Sequence, residues 1–285
     1  AQERSSPTQP FSTGMPSFAH PTITEQDIWG FTVFDQLSCR IRFKQLRWEG
    51  LMTPPSLQGT LLYPGPAGGM NWGSTAVDEV NQLLVVNALH MPFTVALIPR
   101  AEMETAGASG GRGALGIGGR QAGTPYAART LPFFSPLFVP CLQPPFGEMA
   151  VIDLTTRQIV WRRALGNAQL ALGEGPRLGI PVRMGLPYQA GSAVTAGGLI
   201  FMGGAIDATL RAVDVLTGRE AWSDRLPSTS SATPMSYVSA KSGKQYVLVT
   251  VPGQASIPLV GSHEADAAAD TDGPSGGHVI AYGLP

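Results

Sequence analysis

The sequence predicts an all-β fold assembled from repeated four-stranded units, a β-propeller, on three observations. The stretches AVIDLTTRQIVW and LRAVDVLTGREAW each place an aspartate eight positions before a tryptophan, Asp153 to Trp161 and Asp214 to Trp222, 61 residues apart. Each is preceded by a Gly-Ser start, GSTAVDEVNQLLVV from Gly73 and GSAVTAGGLIFM from Gly191, that reads as a short strand, a turn and a strongly apolar strand. Gly and Pro supply 35 and 25 of the 285 residues, enough to punctuate the chain with turns.

Element by element, the second hairpin ends a strand at Asp214, whose carboxylate accepts from the amides of the turn that follows. Thr217-Gly218 closes that turn, because glycine takes a positive φ without a Cβ penalty, and the returning strand delivers Trp222 to one face. Arg157 stands where the first copy needs that glycine, so strain is expected there. Two four-stranded units follow, with strands near 73–78, 83–88, 148–153 and 158–162, then 191–195, 198–203, 209–214 and 219–223. The first unit is interrupted by an insertion at 89–147. A third begins as an alternating hairpin around Lys241-Ser242-Gly243, resumes at Val279 to Tyr282, and lacks a fourth strand. Stacked blades bury faces that none buries alone, and three do not close a ring that needs about four to eight. Residues 71–285 are thus expected to give about three blades of a larger propeller. Residues 1–70 form a rim segment with one or two short helices and the start of a blade. Thr24 with Asp27, and Thr32 with Asp35, have capping-box-like spacing.

Composition excludes several function classes. Charged residues are 14% and the net charge is −1, which leaves no field to attract nucleic acid. The apolar run from Leu83 to Pro99 is broken by Asn87, His90 and Met91-Pro92, and falls short of the ~20 residues that span a bilayer, so it reads as strand and loop. The opening AQERSSPTQPFS, without an initiator Met or an apolar core, reads as a processed or partial polypeptide. Two cysteines, Cys39 and Cys141, are too few for a metal knuckle; they either pair in an oxidising compartment or stay as buried thiols. The glycine-rich stretch 106–123 reads as a surface loop, with no strand and helix around it to make a phosphate cradle. The four histidines have no nucleophile elbow near them and read as loop hydrogen-bonders, and Asp153 and Asp214 read as turn residues.

The segments SPTQPFS (6–12), DIWGFTVFDQLSCRIRF (27–43), TPPSLQGTLLYPG (53–65), NWGSTAVD (71–78), LPFFSPLFVPCLQPPFG (131–147) and GKQYV (243–247) together resemble the C-terminal part of the membrane-bound quinoprotein dehydrogenases. These are the pyrroloquinoline quinone (PQQ) enzymes for glucose, quinate or shikimate, and polyols. The resemblance runs from Ser6 to Pro285. It implies the C-terminal blades of an eight-bladed propeller on the periplasmic face of the bacterial inner membrane, with a membrane-embedded N-terminal part of the same enzyme as partner. No transmembrane helix is expected in this chain. It further implies PQQ at the propeller axis, a divalent cation (Ca or Mg), and transfer of electrons to ubiquinone.

The catalytic base, the quinone-contacting lysine and the cation ligands of that family lie upstream, so no catalytic residue and no metal ligand is expected here. The positions that match are pocket-lining. Asn87 falls where the family has an amide that contacts PQQ, and Gln189 where relatives place an apolar or aromatic residue beside it. Gly253-Gln254 departs from the glucose enzymes, in which a histidine stands at the position of Gln254 in a glycine-rich loop; this chain reads PGQAS, then an insertion at 263–276. Exchanging an imidazole for a neutral amide in a buried polar site changes discrimination by about 1–3 kcal/mol and favours a cyclic hydroxy acid, quinate or shikimate, over glucose or a polyol such as glycerol or sorbitol. The competing class is a non-catalytic periplasmic propeller scaffold.

Overall fold

The computed structural model describes residues 8–283 except 9, 21, 67, 72, 74, 106–115, 117–118, 168–183, 189, 205 and 253–276. The chain divides into two compact units, one of residues 1–68 and 90–143 and the other of residues 69–89 and 144–285. Strands are numbered along the chain.

In the first unit, a 3-10 turn at Glu25–Asp27 carries a complete capping box from Thr24, and helix α1 (Val33–Gln45) starts at Thr32, whose hydroxyl accepts from the Asp35 amide. Both caps stand where the Thr-to-Asp spacings place them. Asp35 is buried and accepts from the amides of Phe31 (2.9 Å) and Leu137 (3.3 Å), which ties the helix start to the loop before Cys141. Strand β1 (Thr60–Leu62) pairs with β4 (Phe93–Pro99), and β4 with β5 (Tyr126–Pro132), all antiparallel. The N-terminal segment and the insertion therefore share one sheet. Cys39 and Cys141 are bonded, and their disulfide lies in a core with Ile23, Ile28, Leu61, Tyr63, Phe133 and Leu142. His20, His90 and Tyr63 form an aromatic group, with the two imidazoles 5.3 Å apart edge to face.

The second unit contains three sheets. The first blade orders β2 (Thr75–Asp78), β3 (Leu83–Leu89), β6 (Gly147–Asp153) and β7 (Gln158–Ala164) as neighbours. The second orders β8 (Ser192–Val194), β9 (Leu199–Met202), β10 (Thr209–Asp214) and β11 (Glu220–Arg225) in the same way. The third has β12 (Met235–Val238), β13 (Gln245–Val251) and β14 (His278–Gly283). Each strand is within a few residues of the range that its repeat indicates.

The Asp-to-Trp hairpins repeat in atomic detail. Asp214 Oδ1 accepts from the amides of Leu216 (3.1 Å) and Thr217 (2.7 Å), and Asp153 Oδ1 from those of Thr155 (2.7 Å) and Thr156 (3.0 Å). Both hairpins carry a bulge at the same place, between Val151 and Ile152 and between Ala212 and Val213. Gly218 has φ +65° and Arg157 φ +60°, so the arginine occupies the left-handed region that the repeat reserves for glycine.

Packing between blades follows from strand alternation. Leu83, Val85, Met149 and Val151 of the first blade meet Ile200, Met202, Val213 and Val215 of the second. Leu210, on the opposite face of β10, packs with Val249 and Val251 of the third. Trp161 bridges the first pair, its indole N–H donating to the Val215 carbonyl at 2.8 Å. Its ring covers Gly218 so closely that a Cβ there would stand 2.7 Å from it. Trp222 also meets the next blade, edge to face with Tyr282 at 5.2 Å. Beyond the third blade, Met235, Tyr237 and Val279 remain exposed on its outer face.

Two stability measurements test this account on the enzyme that contains the chain. Gly218→Ala combines a disfavoured φ with a contact on the Trp161 ring and should destabilise by about 2 kcal/mol or more, while Arg157→Gly, relieved of the left-handed cost, should be neutral or stabilising by up to about 1 kcal/mol; urea unfolding of the two variants reads the opposite signs. Cys39→Ala with Cys141→Ala opens a loop of 102 residues, and should cost about 3–5 kcal/mol, seen as a lower melting temperature that dithiothreitol imposes on the wild type but not on the double variant.

Candidate functional site

The two repeat aspartates are turn acceptors and not proton carriers. The amides of Thr156 and Thr155 hold the Asp153 carboxyl below its ordinary range, and the hydroxyl and amide of Thr217 do the same for Asp214. A general base working near neutrality needs a shift in the other direction. Both stand at the outer hairpin of their blade.

The blades meet at their first strands. A Cβ on Gly191, just before β8, would lie 2.3 Å from the Gly73 carbonyl and 2.3 Å from Thr233 Oγ1, and one on Gly73, just before β2, would lie 3.1 Å from Gly191. Residues 73, 191 and 233 each precede the first strand of a different sheet, so this convergence marks the side on which the three sheets face a common axis. Glycine is required there because backbone occupies the space a side chain would take.

At that level two polar side chains are buried without a partner. Asn87 is fully buried on β3, and neither its Nδ2 nor its Oδ1 has a hydrogen-bond partner. Ser192 opens β8, 4% exposed, and its Oγ is likewise unpartnered. Asn87 pairs with Met149 across β3–β6, and Ser192 with Met202 across β8–β9. Met149 and Met202 belong to the core between the first two blades, so by alternation both polar side chains point into that interface from opposite walls. Val86 pairs with Thr75, so Asn87 lies one residue beyond the last β2–β3 rung, at the end where β2 begins. The strand starts at Gly73 and Gly191 bring the two side chains to the same end of the interface.

Tyr188 anchors the segment that leads into β8. Its buried hydroxyl lies against the Ala88 carbonyl (2.8 Å) and the Glu148 carbonyl, and burial, with the charge of Glu148, pushes its pKa well above the usual phenol range. It stays neutral and serves as a donor. Glu148 itself is buried and paired bidentately with Arg162.

A cavity of about 200 Å³, bounded by Trp161, Arg163, Arg211 and Glu220, lies toward the outer hairpins of the same two blades. Its cations are already matched: Arg211 pairs with the buried Asp207 and with Glu220, and Arg163 donates to the Thr217 carbonyl. It presents no unmet hydrogen bond comparable to those of Asn87 and Ser192.

Of the residues that the sequence singles out, Asn87 is buried and unpartnered in the interface between the first two blades; Gln189, Gly253 and Gln254 lie outside the described residues. Tyr188 and Ser192 were not singled out. The Gly-Ser start shared with the first blade is the trace of Ser192 in the sequence. Among the described residues no group of three or more His, Cys, Asp or Glu is placed to hold a metal ion.

Comparison with known proteins agrees with this architecture. Residues 1–247 match the family model for PQQ, the glucose/ethanol/alcohol dehydrogenase β-propeller domain. The chain is 41% identical over 288 residues to a probable quinate dehydrogenase (quinone) of Xanthomonas campestris pv. juglandis, with 100% of this chain and 34% of that protein covered. It is 39% identical to the quinate/shikimate dehydrogenase (quinone) of Acinetobacter baylyi (92% of this chain, 33% of that one), and 37% identical to the quinoprotein glucose dehydrogenase of Escherichia coli (98% and 33%). The chain spans about a third of the length of these relatives. Among solved structures, a europium-containing methanol dehydrogenase superposes with a TM-score of 0.45 at 22% identity, over 67% of this chain and 26% of that one. By the family model and by these relatives, the chain belongs to the PQQ-dependent dehydrogenase family and carries part of its β-propeller domain.

Proposed function

We propose that this chain forms one wall of the cofactor and substrate site of a PQQ-dependent dehydrogenase that oxidises a cyclic hydroxy acid, quinate or shikimate. The observation that carries the reading is Asn87: a fully buried amide with its donor and acceptor both unmet, beside the convergence of the first strands. Buried polar groups are almost always paired, and an unmet one beside the converging first strands fits a ligand that completes it. PQQ bears quinone and carboxylate oxygens that Nδ2 can donate to. When bound, PQQ supplies the two-electron acceptor for alcohol oxidation. This chain's residues contribute binding and orientation: Asn87 offers directional bonds, Met149 beside it keeps the wall apolar, and Tyr188 fixes the backbone leading to Ser192. The proton-accepting base, the quinone-contacting lysine and the ligands of a Ca or Mg ion belong to residues outside this chain.

The substrate assignment is supported by the two quinate-linked relatives at 41% and 39% identity and by Gln254 in place of a histidine. Those relatives are named as quinone-linked, which supports ubiquinone as the electron acceptor. The Cys39–Cys141 disulfide supports an oxidising compartment, the periplasmic face of the inner membrane. Among the described residues no helix is long and apolar enough to cross a membrane, so the reading places the membrane-embedded part elsewhere in the enzyme.

The test reconstitutes the enzyme that contains this chain with PQQ and Ca or Mg, and compares dye reduction with quinate, shikimate, glucose and glycerol. Quinate or shikimate should give the highest kcat/KM. Preference for glucose or glycerol would sink the substrate assignment, and failure to take up PQQ together with inactivity on all four would leave only a scaffold. Asn87→Ala should weaken PQQ binding by about 10-fold or more, the cost of a hydrogen bond to a charged or strongly polar oxygen, in a fluorescence titration of the apoenzyme.

A further inference from the structure

Among the described residues, four buried side-chain polar atoms have no hydrogen-bond partner: Arg40 Nε, the two terminal atoms of Asn87, and Ser192 Oγ. Three of the four thus belong to two residues that face one another across a single blade interface. The pairing of Ser192 with Met202 and of Asn87 with Met149 puts them on opposite walls at the same end, where Gly73 and Gly191 let the backbones approach. Neither residue satisfies the other. A serine on a strand ordinarily finds a nearby carbonyl, and Thr195, three residues on, does so with Leu199. Ser192, 4% exposed, does not.

We propose that Ser192 is a second cofactor-binding residue of this chain, its hydroxyl donating to an oxygen of PQQ that Asn87 holds from the opposite blade. The proposal rests on the PQQ reading above. A donor from each of two blades grips a rigid planar ligand at two points, which fixes its orientation as well as its affinity. A hydroxyl also suits either kind of oxygen that PQQ carries, a carboxylate or a quinone carbonyl. A substrate hydroxyl shares the same hydrogen-bonding chemistry, so the experiment separates the two.

Ser192→Ala in the full enzyme is measured in three ways. In apoenzyme without substrate, the PQQ dissociation constant should rise about tenfold. The KM for quinate at saturating PQQ should stay within about twofold. The melting temperature of the apoenzyme should be unchanged or higher, because the variant removes a buried hydroxyl that had no partner. A raised KM with an unchanged PQQ constant would assign Ser192 to the substrate and overturn the proposal. Unchanged values of both would mean that an ordered water satisfies the hydroxyl, and would overturn it too. If the wild type bound no PQQ, the cofactor reading itself would fall; if the wild type bound and Ser192→Ala bound equally, only this assignment would.

Discussion

The seating of one blade on the next, through Trp161 on the turn at Gly218, is the contact on which the second unit depends. A four-stranded sheet exposes two apolar faces, and burying both requires neighbours. Trp161 covers the glycine of the next blade's turn and donates its indole N–H to Val215, so apolar burial and a directional bond act at one point. The hydrogen bond to Val215 and the ring contact on Gly218 together hold one sheet against the other. The bulge that precedes each tryptophan re-aims the strand so that the ring leaves the sheet at the required angle.

That seating has consequences at the other end of the interface. Outer hairpins locked in register fix where the first strands begin, and these converge at Gly73, Gly191 and Thr233. Between the two ends the interface is filled by Val85, Met149, Ile200, Met202 and Val213. Its side chains are apolar up to Asn87 and Ser192, where unmet polarity replaces apolar filling. Tyr188 sits at this transition, a neutral donor held by burial that clips the entry to the second blade onto the backbone of the first. The polar groups near the outer hairpins are paired, whereas Asn87 and Ser192 at the inner end are buried without partners.

How much of this was legible in the sequence depended on whether the signal was local. The hairpins, their aspartates, Gly218 and the strain at Arg157 follow from a few adjacent residues, and so do the caps at Thr24 and Thr32. The sheet of β1, β4 and β5 is non-local, joining a strand near residue 60 to two inside the insertion, and no periodicity in either segment announces the pairing. The cysteines showed only that a bond was available; that Cys39 faces Cys141 is decided by the core around them. Asn87 was reached through family resemblance. Ser192 has no such local signal, because what distinguishes it from other strand serines is the lack of a partner, a property of its surroundings and not of its neighbours in sequence.

An unmet polar group in a packed interface is a stability cost that a fold optimised for rigidity alone would remove. Apolar residues at 87 and 192 would continue the filling that Val85 and Val194 provide on the same faces. An amide and a hydroxyl there are consistent with the proposed ligand, since a ligand that completes both groups gains their bonds without first breaking others. The same reasoning explains why the cavity near Arg211 is a weaker candidate. There Asp207 and Glu220 already neutralise the guanidinium, and an anion entering would have to displace a buried carboxylate that has no other partner of equal charge. Unmet hydrogen-bonding capacity, more than empty space, therefore sets Asn87 and Ser192 apart from the rest of this interface.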